Sequence, residues 1–176
     1  MGASFGTETL YAALKTGGPD KIVAFDLALE SSFNLAYNIS INNIHNVDQY
    51  YLALSHELGL HSFKEPTQYF FIKERPKYDA VSYRTISISM DQFIRMTQIV
   101  PDYIKIDVDG AEQNIISGMA ETVQYPQLKS VVIEVSSRSE PSITRFFQNA
   151  GFMIESERRL VEAEGMVFKN ITFTRK

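Results

Sequence analysis

An apolar run that ends in acids constrains this chain more than any other feature. Tyr103, Ile104, Ile106 and Val108 form a β-rich stretch interrupted only by Lys105, and Gly110 then breaks it so that a helix can begin at Ala111. Asp107, Asp109 and Glu112 are therefore predicted to cluster at the carboxyl end of a strand. In open α/β sheets ligands bind at that edge, because the crevice opens outside the strand ends. The competing reading is a solvated turn whose acids face the positive end of the next helix.

The order of elements around this strand is that of an α/β protein. A glycine-bearing loop, Met1 to Gly6, leads into a helix from Thr7 to Leu14 that Gly17, Gly18 and Pro19 close. Lys21 to Asp26 follows as a short strand ending in an acid, and Phe33, Ala36, Tyr37 and Ile41 fall on one face of a helix within Ser31 to Asn42. Asn46 to Ser55 reads as a further strand, so helix and strand alternate as parallel sheets require. Residues 56–90 break the rhythm: Tyr69 to Ile72 and Ala80 to Ser89, on either side of Lys73 to Lys77, predict an inserted β-hairpin. After it come a helix over Met90 to Met96, the acidic strand, a helix over Gly110 to Val123 and a strand over Leu128 to Val135. Ile143, Phe146, Phe147 and Ala150 keep helical spacing up to a stop at Gly151, and Phe152 to Glu157 and Met166 to Thr174 pair as a last antiparallel hairpin. The expected architecture is a mostly parallel sheet finished by a hairpin, in one domain spanning residues 1–176.

Composition narrows the functions open to such a domain. A chain of 176 residues, 44% hydrophobic and 22% charged, suits a single core. Its net charge of −4 argues against binding nucleic acid, which rests on a basic surface neutralising phosphates. With no cysteine there is neither a disulfide framework nor a thiolate, and the N-terminus lacks a signal-peptide pattern. No stretch approaches the roughly 18 apolar residues of a membrane span. A cytoplasmic protein without a membrane partner is the expectation.

Gly2 and Gly6 ahead of a helix, with Asp26 ending the next strand about 20 residues on, have the logic of an adenosine crevice, glycines admitting the ligand and the acid holding ribose hydroxyls. Two glycines are not the three-glycine dinucleotide fingerprint, and no P-loop lysine follows. Asp107-Val-Asp109 invites a hard divalent cation, yet Glu112 and Gly118 occupy the sixth and twelfth positions counted from Asp107, which excludes an EF-hand. A metal-dependent glycosyltransferase using that Asp-x-Asp pair is the rival enzyme class. His45, His56 and His61 lack ligand spacing and are expected at the surface, and no Gly-x-Ser-x-Gly elbow is present. No metal site is assigned.

Taken in order, these motifs resemble the FkbM-type family of S-adenosylmethionine-dependent methyltransferases. The matching residues are Gly-Ala-Ser-Phe-Gly at 2–6, Val-Ala-Phe-Asp at 23–26, Asn-Ile-x-x-Asn-Asn at 38–43, Ala-Leu-Ser at 53–55, Ser-Met-Asp-Gln-Phe at 89–93, Ile-Lys-Ile-Asp-Val-Asp-Gly-Ala-Glu at 104–112 and Val-Ile-Glu-Val at 132–135. The block at 104–112 is the specific one. The resemblance implies a Rossmann-like class I methyltransferase fold, a three-layer sandwich with S-adenosylmethionine as cofactor, and usually O-methylation of a hydroxyl on a sugar or natural product. By position, Gly2, Ala3, Ser4 and Gly6 would lie against the methionine part of the cofactor, Asp26 with Leu27 beside it would hold the ribose, and Leu52 and Ala53 would border the adenine. Asp107 would sit nearest the transferring methyl, with Asp107 or Glu112 orienting or deprotonating a small-molecule or saccharide acceptor. The family's first strand, ending in Asp-x-Gly, has no counterpart here, because Met1 stands directly before Gly2. The chain is thus expected to be a fragment lacking that strand, with an inactive methyltransferase-like domain as the second functional class. Tyr69, Phe70, Phe71 and Tyr83 suggest an aromatic wall for the acceptor, although such strands are more often core. Oligomeric state is not legible.

Overall fold

Parallel strand pairs carry the two halves of the structure. The computed structural model describes residues 1–17, 20–65, 81–108, 110–163 and 165–175. Helix α1 (Thr7–Thr16) leads to strand β1 (Ile22–Asp26), helix α2 (Leu29–Ile41) and strand β2 (Val47–Tyr51), and β1 and β2 pair in parallel from Ile22 opposite Val47 to Asp26 opposite Tyr51. A short strand β3 (Ala53–Leu54) runs parallel to the end of β5 (Val81–Ile88), which pairs antiparallel with β4 (Gly59–Glu65). Helix α3 (Met90–Thr97) leads into β6 (Tyr103–Ile106), then α4 (Glu112–Ser117), a 3-10 turn at Thr122–Gln124, β7 (Ser130–Ser136), α5 (Glu140–Asn149), β8 (Met153–Ala163) and β9 (Met166–Thr174). These last strands form a sheet in the order β6-β7-β9-β8, parallel between β6 and β7 and antiparallel beyond. The described strands thus fall into three hydrogen-bonded groups, parallel and antiparallel pairs mixed rather than mostly parallel, with the expected C-terminal hairpin ending the last. Among the described residues no helix is long and apolar enough to cross a membrane.

Local chemistry accounts for most of these elements. Ile104 and Ile106 of β6, and Val131, Ile133 and Val135 of β7, alternate with half-buried or exposed neighbours and face the core. Ser89 opens α3 with a reciprocal cap, its hydroxyl accepting from the Gln92 backbone while the Gln92 side chain accepts from the Ser89 N–H. Pro141 sits in the first turn of α5, and Ile143 and Phe147 are fully buried. Phe147 stacks on Phe173 at 4.7 Å, closing the core beneath the hairpin.

Several expectations are corrected. The apolar face predicted for α2 points outward: Phe33, Tyr37 and Ile41, with Leu29, are 57–69% exposed, while Ser32 and Leu35 are buried. Burial there is set by the glycine loop, since Leu35 fills the space that a Gly6 side chain would occupy. The helix predicted over Gly110 to Val123 ends at Ser117, where Gly118 brings the backbone against Ser55 so closely that a Cβ would lie 2.3 Å from its carbonyl oxygen. Asn46 to Ser55 is two strands rather than one. The inserted hairpin is present, but its first arm is Gly59–Glu65, and the arm expected at 69–72 lies outside the described residues. The last hairpin is longer than expected because β8 continues to Ala163.

Strands β1 and β6 do not pair with each other. Between their carboxyl ends lie Met1, Gly2 and Ala3. The Met1 amine donates to the Lys105 carbonyl at 2.8 Å, Asp107 N–H donates to the Met1 carbonyl at 3.3 Å, and Ala3 N–H donates to the Phe25 carbonyl at 3.0 Å. Burial, helped by the nearby Lys105 charge, pushes the Met1 ammonium down from 8.0 to about 6 against the pull of Asp26, Asp107 and Glu8. Its folded pKa therefore lies below the unfolded one, and between these values the unfolded chain binds more protons. A chain with a free Met1 amine should gain about 2 kcal/mol of stability as pH rises from 6 to 8, since each pKa unit is worth about 1.4 kcal/mol and each state is half-titrated at one end of that window. Denaturant titrations at the two pH values measure it, and equal stabilities would contradict the burial of this amine.

Candidate active site

Three backbone segments converge at one edge: the 2–6 loop, the end of β1 and the end of β6. Gly2, Ser4 and Gly6 adopt left-handed φ values of 70°, 50° and 98°, which coil the loop tightly before α1. The need for glycine is sharpest at Gly2, where a Cβ would stand 1.7 Å from the Asp107 carbonyl oxygen. Gly6 N–H returns to the Ala3 carbonyl at 2.9 Å, and Asn38 of α2 donates to the Phe5 carbonyl at 2.9 Å. The loop is thus fastened to both neighbours.

Asp26 ties the loop to β1 through its side chain. One carboxylate oxygen accepts from Ser4 N–H at 2.7 Å and the other from Ala28 N–H at 2.8 Å. An ionised carboxylate offers about four acceptor positions, so each oxygen retains one for a ligand hydroxyl. Leu27 is half-buried directly beyond it. Leu52 and Ala53 lie where the chain passes from β2 to β3, at the carboxyl end of β2, with Ala53 buried and Leu52 packed against the main core.

At the end of β6, Asp107 Oδ2 receives a hydrogen bond from Lys105 Nζ at 2.7 Å, and the same ammonium lies 3.3 Å from Glu8 Oε1 of α1. Burial pulls the Lys105 ammonium down, but the bond to Asp107 and the charges of Asp107 and Glu8 outweigh it and hold its pKa above the usual lysine value. Asp107 Oδ1 accepts no hydrogen bond among the described residues. Glu112 has a different setting. It is buried, and its Oε1 accepts from Gly110 N–H at 3.0 Å, so it fixes the turn that follows β6.

Gly2, Ala3, Ser4, Gly6, Asp26, Leu27 and Asp107 lie at this edge, and Leu52 and Ala53 follow the carboxyl end of the neighbouring strand β2. Asp109 lies outside the described residues, as do the side chains of the expected aromatic wall. No group of three or more His, Cys, Asp or Glu side chains is placed to hold a metal ion among the described residues. His45 and His56 are exposed, as expected, with His56 between Ser55 and Glu57. Sequence reasoning missed Lys105 and Glu8. The spacing of Lys105 and Asp107 by two in a strand was the available signal, because it places both on one face.

Parallel strand pairs with a glycine turn and strand-end acids at one edge match the Rossmann-like methyltransferase class. The profile of the methyltransferase FkbM domain matches residues 1–154, and the chain belongs to that family. No curated protein matches the chain. Among solved structures, methyltransferase FkbM from Methylobacillus flagellatus KT superposes with a TM-score of 0.68 at 12% identity, covering 97% of this chain and 41% of that one. This chain thus spans less than half the length of that relative. Precorrin-6y C5,15-methyltransferase from Geobacter metallireducens GS-15 gives 0.55 at 14% identity, covering 100% and 78%. Magnesium protoporphyrin IX methyltransferase from Synechocystis PCC 6803, with bound S-adenosylmethionine, gives 0.55 at 10% identity, covering 99% and 67%. At these identities the likeness is one of fold.

Gly2 and Gly165 separate two costs of a side chain. Their φ values are 70° and 72°, but a Cβ at Gly165 meets nothing within 4 Å whereas one at Gly2 strikes the Asp107 backbone. Gly165→Ala should lose about 1 kcal/mol, the left-handed penalty alone, and Gly2→Ala distinctly more. Parallel thermal melts test this, and equal losses would mean that the loop does not rest on β6.

Proposed function

We propose that this chain binds S-adenosylmethionine along the edge formed by the 2–6 loop, Asp26 and Asp107, and directs its methyl group to a hydroxyl of a saccharide or natural product. Membership of the FkbM family supports the donor, as does the class I fold, which the magnesium protoporphyrin IX enzyme uses with S-adenosylmethionine bound. The observation that carries the reading is Asp26, whose two oxygens are each fixed by a backbone N–H of a different segment and each keep an acceptor position for a ribose diol.

When bound, S-adenosylmethionine supplies an electrophilic methyl on a cationic sulfur, whose departing thioether needs no proton. Positioning is then the main task of the protein. Gly2, Ala3, Ser4 and Gly6 would offer close backbone approach to the methionine part, Leu27 would lie beside Asp26 at the ribose, and Leu52 and Ala53 would form an apolar border for the adenine. Asp107 would take the acceptor hydroxyl on Oδ1, orienting it and receiving its proton as the oxygen–carbon bond forms. Glu112, engaged with Gly110 N–H, would shape the turn beside it. The acidic net charge suits a small or saccharide acceptor rather than nucleic acid.

Calorimetry with S-adenosylmethionine and S-adenosylhomocysteine should detect binding of both to the chain. Asp26→Ala should weaken both about 10- to 100-fold, the worth of one hydrogen bond to a charged group with its backbone partners left unpaired. Asp107→Asn should keep S-adenosylhomocysteine affinity within a few-fold and abolish methyl transfer to a hydroxyl acceptor. Binding of neither ligand would overturn the proposal, and full turnover by Asp107→Asn would remove that residue from the chemistry.

A further inference from the structure

Lys105 occupies a position that an apolar strand has no structural reason to give a lysine. It interrupts the run Tyr103 to Val108, and its side chain is only 31% exposed. Its ammonium bridges Asp107 of the strand end, at 2.7 Å, and Glu8 of the first turn of α1, at 3.3 Å. Its own carbonyl receives the Met1 amine at 2.8 Å. One residue thus holds the glycine loop by its backbone, and the helix behind that loop by its side chain.

The charges matter as much as the clamp. Glu8 and Asp107 carry two negative charges and Lys105 one positive charge, so the cluster is singly negative with the lysine and doubly negative without it. At pH 8 the Met1 amine, lowered to about 6, is uncharged and leaves that sum unaltered. A methyl donor with a sulfonium is cationic at its reacting sulfur, whereas the thioether left after transfer is neutral there. The charge beside that sulfur therefore decides how the two forms rank.

Resting on the donor site proposed above, we infer that Lys105 is a positioning residue that partly neutralises Asp107 and sets how the site ranks the cationic sulfonium donor against its neutral thioether product. With the lysine present, the donor is not held by an uncompensated carboxylate. Product and donor can then exchange on comparable terms.

The test is calorimetry at pH 8 and low salt with S-adenosylmethionine and S-adenosylhomocysteine on the wild type, Lys105→Met, Lys105→Gln, Lys105→Arg and Asp107→Asn. Removing the lysine charge should raise the preference for S-adenosylmethionine roughly three- to tenfold, the size of one partly screened charge interaction. Lys105→Arg should keep the wild-type ratio, Asp107→Asn should move it the opposite way, and added salt should shrink both changes. A lysine serving only as a clamp would weaken both ligands alike. An unchanged ratio in whichever of Lys105→Met and Lys105→Gln retains a cooperative thermal melt would overturn the inference. Failure of the wild type to bind either ligand would instead overturn the donor site itself.

Discussion

Three backbone hydrogen bonds from Met1, Asp107 and Ala3 join the ends of β1 and β6, which do not pair with each other, and the glycine loop of the candidate site is placed by that joint. Ala3 N–H reaches the last rungs of β1, and the Met1 amine and carbonyl reach those of β6. Because the residues between these bonds are so few, the loop that follows has no slack, and its path is fixed relative to both strand ends. Gly2 is pressed onto the Asp107 backbone for this reason. Backbone polar groups in such a position must find partners or pay for desolvation, so the joint organises the loop and satisfies the strand ends together.

Packing beneath the joint supports it. Phe25 of β1 stands edge-on to Phe93 of α3 at 4.9 Å, Tyr50 of β2 stands edge-on to the same ring at 5.1 Å, and Phe25 and Tyr50 stack at 5.5 Å. Helix α3 precedes β6 in the chain, so this trio ties the β1–β2 pair to the half that carries Asp107. Aromatic pairs of this geometry contribute about 0.5–1.5 kcal/mol each beyond their buried area. Asp91, in the first turn of α3, accepts from Glu121 N–H, Thr122 N–H and the Thr122 hydroxyl, which anchors the same helix to the turn after α4.

What could be read from the sequence follows from where the cause of each feature lies. The strands β6 and β7 and the helix α5 were legible because alternation and i, i+3, i+4, i+7 spacing are local consequences of burial. The outward stripe of Leu29, Phe33, Tyr37 and Ile41 misled for the same reason: its spacing is that of a core face, yet the buried side of α2 is chosen by Leu35 meeting Gly6 from another segment. The early end of α4 comes from a close approach of Gly118 to Ser55, which no local pattern records. Asp26 and Asp107 were placed correctly because a strand end fixes where its acid goes. Glu112 shares their chemistry in the sequence, and only its bond to Gly110 N–H distinguishes its duty.

The two principal acids of the edge are held in different ways, and the difference bears on what each can do. Asp26 is held by backbone N–H groups, which have no charge of their own to give and no freedom to leave, so it presents a fixed anionic pair of oxygens suited to neutral hydroxyls. Asp107 is held by the ammonium of Lys105 on its own strand, with one oxygen engaged and a full positive charge nearby. Its charge is therefore partly offset where that of Asp26 is not. Preorganised groups aid a reaction when they need not move as charge develops, and both acids meet that condition through partners supplied before any ligand arrives. In methyl transfer from a sulfonium the positive charge disappears as the bond breaks, so a carboxylate at full strength would favour the donor over the transition state. A carboxylate already shared with Lys105 avoids that bias, which gives a physical reason for an otherwise apolar strand to carry a lysine two residues before its terminal acid.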